Sequence, residues 1–227
     1  MDKQKYKNYL REVEQKIGTV NNAIPHQRSA YKQGYSFSGA AFEEQAQIWD
    51  YIWKHSKIYR AQVHAFFFIE NHLSKKELAA AIWNITESWQ EQVNGWGLCD
   101  ALAKIYTKML ETEPAKVYKR LKEWNKDPNL WKRRQSLVSL LYYSRTKKTH
   151  LPFQKIIVLV KPLLKDKEYY VQKGLGWCLR ETHNAYPEQA YQFMKENIKN
   201  ISGIAFTIAI EKMNKKQKDE LKGMRKK

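Results

Sequence analysis

Helical periodicity runs along nearly the whole chain and is cut at intervals by Pro114, Pro128, Pro152, Pro162 and Pro187. A proline lacks the backbone donor that a helix interior needs and clashes with the preceding turn, so each of them marks a helix edge. No segment alternates apolar and polar residues in the way a half-buried strand does. From Phe42 onward the spacing predicts helices near 41–54, 58–72, 75–91, 95–111, 115–125, 129–144, 150–164, 167–184, 187–198 and 203–213, with a shorter pair at the two ends. Ser74 before Lys-Lys-Glu77, Asp127-Pro128 before Asn-Leu-Trp, and Asp166 before Lys-Glu-Tyr-Tyr have the chemistry of helix caps. The expected fold class is all-α.

Two of those starts align. An offset of 39 residues carries Asp127 onto Asp166 and places Leu130 over Tyr169, Trp131 over Tyr170 and Arg134 over Lys173. A period of about 40 residues holding two helices is the range of HEAT and armadillo arrays, in which stacked pairs bury a shared core and leave a concave surface. The expectation is therefore a HEAT-like repeat α-solenoid of antiparallel helix pairs with a concave basic groove, and a plain helical bundle is the alternative. One body is expected over 1–227, with a divergent N-terminal helical part at 1–74 and the repeats at 75–213.

Charge then points to a partner. The 41 Lys and Arg outnumber the 23 Asp and Glu and give a net charge of +18, while 43% hydrophobic residues and eight Trp supply a core. An excess of this sign on a folded body attracts polyanions, because each cation set near a phosphate releases condensed counterions. Nucleic acid is the first candidate; the bland reading is that lysine-rich helices are simply solvated, as at Lys215–Lys218 and Met224–Lys227. The apolar run Ala65–Ile69 is far too short to span a bilayer, and the charged start lacks the apolar stretch of a secretory signal, so a cytoplasmic protein without membrane contact is expected. Cys99 and Cys178 read as reduced packing thiols, and the six His show no metal-ligand spacing, so neither metal nor cofactor is expected. The glycine-rich and nucleophile-elbow signatures of nucleotide hydrolases, dinucleotide oxidoreductases and α/β-hydrolases are missing from the sequence. Trp49, Trp53, Trp83, Trp89 and Trp124 fall on apolar stripes and read as core.

Three segments concentrate the remaining chemistry: Asn94-Gly-Trp-Gly-Leu-Cys-Asp100, Asn129-Leu-Trp-Lys-Arg-Arg134 and Val171-Gln-Lys-Gly-Leu-Gly-Trp-Cys-Leu-Arg-Glu181. Helical spacing puts Trp96 and Asp100 on one face, and Lys173, Trp177 and Arg180 on another. Lys132, Arg133, Arg134 and Lys173 would line one groove if the repeats stack in parallel. Gly174 and Gly176 each cost a helix about 1 kcal/mol relative to Ala, which points to close approach of a backbone or a ligand. A carboxylate beside a cationic groove repels phosphate, so Asp100 needs either an arginine partner or a cationic target.

These residues resemble the AlkD-like family of DNA alkylation repair glycosylases, HEAT-like-repeat proteins that remove N3- and N7-alkylated purines. Trp96 to Asp100 matches the family's Trp-x-x-x-Asp element, Trp131 to Arg134 its Trp-x-x-Arg element, and Lys173 through Gly176-Trp177-Cys178-Leu179-Arg180-Glu181 its third element, in order over roughly residues 75–213. The resemblance implies that Asp100 is the catalytic carboxylate, that Trp96 and Trp177 flank the lesion nucleotide, and that Arg134 holds the DNA backbone nearby. With the groove reading, DNA contacts are expected from Lys132, Arg133, Lys173, Arg180 and Trp131, in a monomer acting on double-stranded DNA without cofactor. The family leaves the lesion in the duplex rather than extruding it. Its N-terminal aromatic segment has only a partial counterpart at Lys32–Gly39, where Tyr31, Tyr35 and Phe37 supply either DNA contacts or ordinary packing, and its Arg pair is missing. The alternatives from other classes are a non-catalytic HEAT-like nucleic-acid-binding module and a protein-interaction scaffold.

Overall fold

A computed structural model describes residues 3–147 and 149–226. Among the described residues the regular structure is helical throughout. The chain forms two compact units, 1–94 and 95–227.

The first unit holds α1 (Lys3–Gly18), α2 (Ile24–Lys32), α3 (Phe42–His55), α4 (Tyr59–His72) and α5 (Ala79–Trp89). Every residue of α4 from Ala61 to Ile69 is buried, which explains the apolar run: this helix is the centre of the unit and packs on α1, α2 and α3. The tryptophans of the apolar stripes are core, with Trp49, Trp53, Trp83 and Trp89 each at most 1% exposed. Trp53 stacks on Trp89 with ring centroids 4.3 Å apart, Trp53 Nε1 donates to the Trp89 carbonyl at 3.1 Å, and Trp89 Nε1 donates to Asp50 at 2.9 Å. These contacts hold α5, which the sequence pattern groups with the repeats, to α3 in the first unit. Tyr35 and Phe37 are buried and stack on each other beside Trp49, and Tyr31 lies edge-on to Phe67. The segment around them is a packing loop.

The second unit holds α6 (Trp96–Thr112), α7 (Pro114–Trp124), α8 (Leu130–Val138), α9 (Phe153–Val160), α10 (Tyr169–Ala185), α11 (Pro187–Glu196), α12 (Gly203–Ala209) and α13 (Lys215–Lys226). Two connections are corners of the same build. Glu113 and Tyr186 each leave helical geometry for one residue before a proline opens the next helix, the position where a missing N–H costs nothing. Helix α8 packs on α6, α10 on α8 and α12 on α10, so the helices bearing the three sequence elements lie side by side in chain order. Helix α8 stops at Val138, short of the expected 144, because the Ser139 carbonyl is taken by the Thr107 hydroxyl at 2.7 Å and Tyr143 turns into the left-handed region.

The 39-residue offset survives at the level of hydrogen bonds. Asp127 accepts from the amide of Asn129 and Asp166 from that of Glu168, while Arg133 and Gln172 donate back to the carbonyls of Asp127 and Asp166. The same device recurs in the first unit, where Asn21 accepts from the amide of Ala23 and Gln27 donates to the Asn21 carbonyl. The aspartates thus close turns two residues ahead of the capping position; the side-chain cap of α8 is Asn129, which accepts from Trp131 N at 2.8 Å. Ser74 makes no cap, since the chain there winds into a short 3-10 turn whose first flanking residue is Lys75.

Candidate active site

The site is assembled on α6, α8 and α10. Gly95, extended in backbone, lets the chain enter α6 directly at Trp96. Leu98, Cys99, Leu102 and Ala103 turn inward, which leaves Trp96 and Asp100, one turn apart, on the outer edge of that helix. Trp96 is 59% exposed, far more than an indole of the core. Cys99 beside it is inert, since burial pushes its thiol up to about 12.

Arg134 approaches Asp100 from the neighbouring helix. Its Nη2 donates to Asp100 Oδ1 at 2.7 Å and its Nη1 to the Tyr170 carbonyl of α10 at 2.9 Å. A Cβ at Gly174 would lie 3.1 Å from Arg134 Cγ and 3.3 Å from its Nη1, so this glycine is the slot through which the guanidinium passes. Gly176 serves packing: a Cβ there would lie 2.6 Å from the Ala205 carbonyl oxygen, and its absence lets α10 and α12 meet backbone to backbone. The two glycines therefore mark close approach by a side chain and by a backbone. Among the described residues Asp100 Oδ2 accepts no hydrogen bond, so the carboxylate is gripped by one oxygen and offers the other outward.

Around this pair stand aromatic and cationic groups. Trp131 lies against Tyr170 at 5.0 Å between centroids, and Lys173 Nζ sits 5.4 Å above the exposed ring of Tyr169. Trp177, half-buried, leans on Tyr142 at 5.7 Å. Three other cations have partners that helical periodicity did not reveal. Arg133 donates to Asp166 at 2.7 Å and to the carbonyls of Asp127 and Pro128, tying two loops together. Lys132 is paired with Asp127 at 3.4 Å. Arg180 pairs with Glu211 at 2.7 Å and with Glu181 at 3.4 Å, and not with Asp100. Tyr142, Tyr170 and Glu211 join the site without a local sequence signal, because they are contributed across separations of about 31–36 residues by segments that only folding sets side by side. Among the described residues no group of three or more His, Cys, Asp or Glu is placed to hold a metal ion, and no helix is long and apolar enough to cross a membrane.

Fold and site together define an all-helical protein whose outer carboxylate is tethered by a buried arginine, with one exposed indole, Trp96, a turn away on the same helix. The family described as DNA alkylation repair enzyme matches residues 1–213, and the chain belongs to it. A predicted DNA alkylation repair enzyme from Enterococcus faecalis has the same fold, with a TM-score of 0.69 at 16% identity over 94% of this chain and 97% of that one. AlkD2 from Streptococcus mutans superimposes with a TM-score of 0.56 at 19% identity over 98% of both chains. The smu.31 protein of Streptococcus mutans UA159 gives 0.55 at 19% identity, again over 98% of both. No curated protein matches.

Proposed function

We propose that the protein is a DNA glycosylase of base excision repair that hydrolyses the N-glycosidic bond of cationic N3- and N7-alkylated purines in duplex DNA. The observation that carries this reading is the Asp100 carboxylate, 38% exposed, held through one oxygen by Arg134 one turn from the exposed Trp96. An alkylated purine already bears a positive charge, so its bond to C1′ breaks without protonation and the bonding electrons leave with the neutral base. What needs stabilising is the oxocarbenium character growing on the sugar. A fixed carboxylate does so electrostatically and accepts a hydrogen bond from the water that adds to C1′, the proton passing on to solvent.

Indole faces favour a cationic nucleotide by about 0.5–2 kcal/mol per contact, which suits Trp96 and Trp177 to flank the lesion. Arg134 is a positioning residue in this reading, because its guanidinium is spent on Asp100 and the Tyr170 carbonyl. Lys173 and Trp131 face the DNA, Arg180 meets the backbone beyond Trp177, and Lys132 and Arg133 contribute field from within their ion pairs. The protein acts as a monomer on chromosomal DNA in the cytoplasm, without metal or cofactor. The test is release of 7-methylguanine and 3-methyladenine from methylated duplex DNA. Salt-sensitive duplex binding without any release overturns the glycosylase and identifies a non-catalytic nucleic-acid-binding module.

A further inference from the structure

One turn beyond Trp177 on α10, a cleft of about 290 Å³ opens between that helix, the turn at 143–146 and the segment after α12. Its walls carry Arg145, Arg180 and Lys212 together with the carboxylates of Glu181 and Glu211, beside Tyr143. Two cations hold one half-exposed carboxylate and a third lines the same cleft: Glu211 accepts from Arg180 Nη1 at 2.7 Å and lies 3.2 Å from Lys212 Nζ. These two partners hold its carboxyl below the usual carboxylate range, Arg180 first. The third cation, Arg145, is exposed and makes no ion pair among the described residues.

The walls of the cleft are fixed in place. Tyr143 adopts φ 49 and ψ 60, a left-handed conformation that a bulky residue takes only when its surroundings impose it. The imposing contact is Glu181, 5% exposed, whose Oε2 accepts from Ser144 N at 2.9 Å and from its hydroxyl at 2.7 Å. Glu181 therefore fixes the wall that bears Arg145 to the helix that bears Arg180. Its charge is committed there, and Arg180 Nε, 3.4 Å away, and Asn184 Oδ1 are buried without a hydrogen-bond partner among the described residues. Glu211, by contrast, is held by the exposed ion pairs with Arg180 and Lys212 and through its carbonyl, which accepts from Lys218 at 3.0 Å, and its side chain is 49% exposed.

We propose that Glu211 is a resident anion occupying the seat of a backbone phosphate of duplex DNA, and that Arg180, Arg145 and Lys212 receive that phosphate when Glu211 swings out. The planar fork of an arginine suits two phosphate oxygens, and the exposed ring of Tyr143 covers the adjoining sugar. The inference rests on the reading of the chain as a duplex-binding repair protein. It adds a built-in competitor that lowers affinity for any backbone unable to displace a carboxylate.

The experiment uses the full chain and a lesion-free duplex oligonucleotide, with binding followed by fluorescence anisotropy across a salt series. In the wild type the phosphate replaces an internal anion. In Glu211→Gln it meets cations neutralised only by salt, so binding tightens about twofold to fivefold, the range of an exposed ion pair, and the salt slope steepens by about 0.9. Arg145→Gln, which removes no internal bond, weakens binding and flattens the slope by about 0.9. If the wild type binds the duplex and both variants match it in affinity and slope, the inference is overturned and the glycosylase reading stands. If the wild type does not bind duplex at all, the underlying reading falls and takes the inference with it.

Discussion

Arg134 grips Asp100 from beneath: 8% of the arginine side chain is exposed against 38% of the aspartate, with 2.7 Å between Nη2 and Oδ1. The cation is inside and the anion outside, the reverse of what a phosphate-binding surface requires. On the proposed reading, the arginine fixes the carboxylate for an incoming positive charge.

Asp100→Asn keeps the shape of the side chain and removes its charge. Base release from methylated duplex is expected to fall by about 10²–10³-fold, the scale on which one fixed electrostatic group acts. Duplex affinity is expected to hold or rise, since a negative charge leaves the surface. Wild-type release rates in this variant would remove Asp100 from the reaction.

Arg134→Lys tests the tether separately. A lysine is a point charge without a fork and cannot serve both Asp100 and the Tyr170 carbonyl, so one part-buried acceptor loses its donor. Stability in a urea titration should drop by about 1–3 kcal/mol. Base release should drop at least tenfold with little change in KM. A loss of stability with turnover unchanged would make the arginine purely structural.

Gly174→Ala and Gly176→Ala should part company. At position 176 the new methyl meets Ala205 Cα at 2.9 Å as well as its carbonyl oxygen, and a backbone cannot step aside, so overpacking of about 1–3 kcal/mol outweighs the gain in helix propensity. At position 174 the methyl meets the Arg134 side chain, which is held at its far end by Asp100 and Tyr170. Thermal unfolding should therefore report the first substitution more strongly, and base release the second.

His64 makes the first unit sensitive to acid. Tyr35 OH bonds to its Nδ1, and its Nε2 donates at 3.0 Å to Gln27, whose amide nitrogen is already committed to the carbonyls of Val20 and Asn21. The ring is thus held neutral. Burial first, and the nearby Lys16 charge second, lower its pKa from 6.5 to about 4. The unfolded chain then binds the extra proton between those values, so stability is complete above pH 6.5 and declines as pH falls toward 4. Urea unfolding at pH 7 and pH 4.5 should differ by about 2–3 kcal/mol from this group. His64→Gln should flatten that dependence, and an unchanged profile would show that His64 takes up its proton in the folded state.

Helix positions, the buried tryptophans and the ordered elements at 96–100, 131–134 and 173–181 were legible from spacing, because prolines and apolar stripes act within one or two turns. So was the 39-residue offset, whose aspartates close the same turn twice, although the cap itself fell to Asn129. The early end of α8 was not legible, since it depends on a Thr107 hydroxyl from another helix.

By itself, the sequence determined an all-helical chain with an indole and a carboxylate one turn apart on α6, since that placement follows from 3.6 residues per turn. It also determined the surplus of positive charge. Only the tertiary structure decided which cation meets which anion: Arg134 went to Asp100, Arg133 to Asp166 and Arg180 to Glu211. Each choice joins residues more than 30 positions apart, and an ion pair depends on a few ångströms of approach between helices, which no periodicity within one helix specifies.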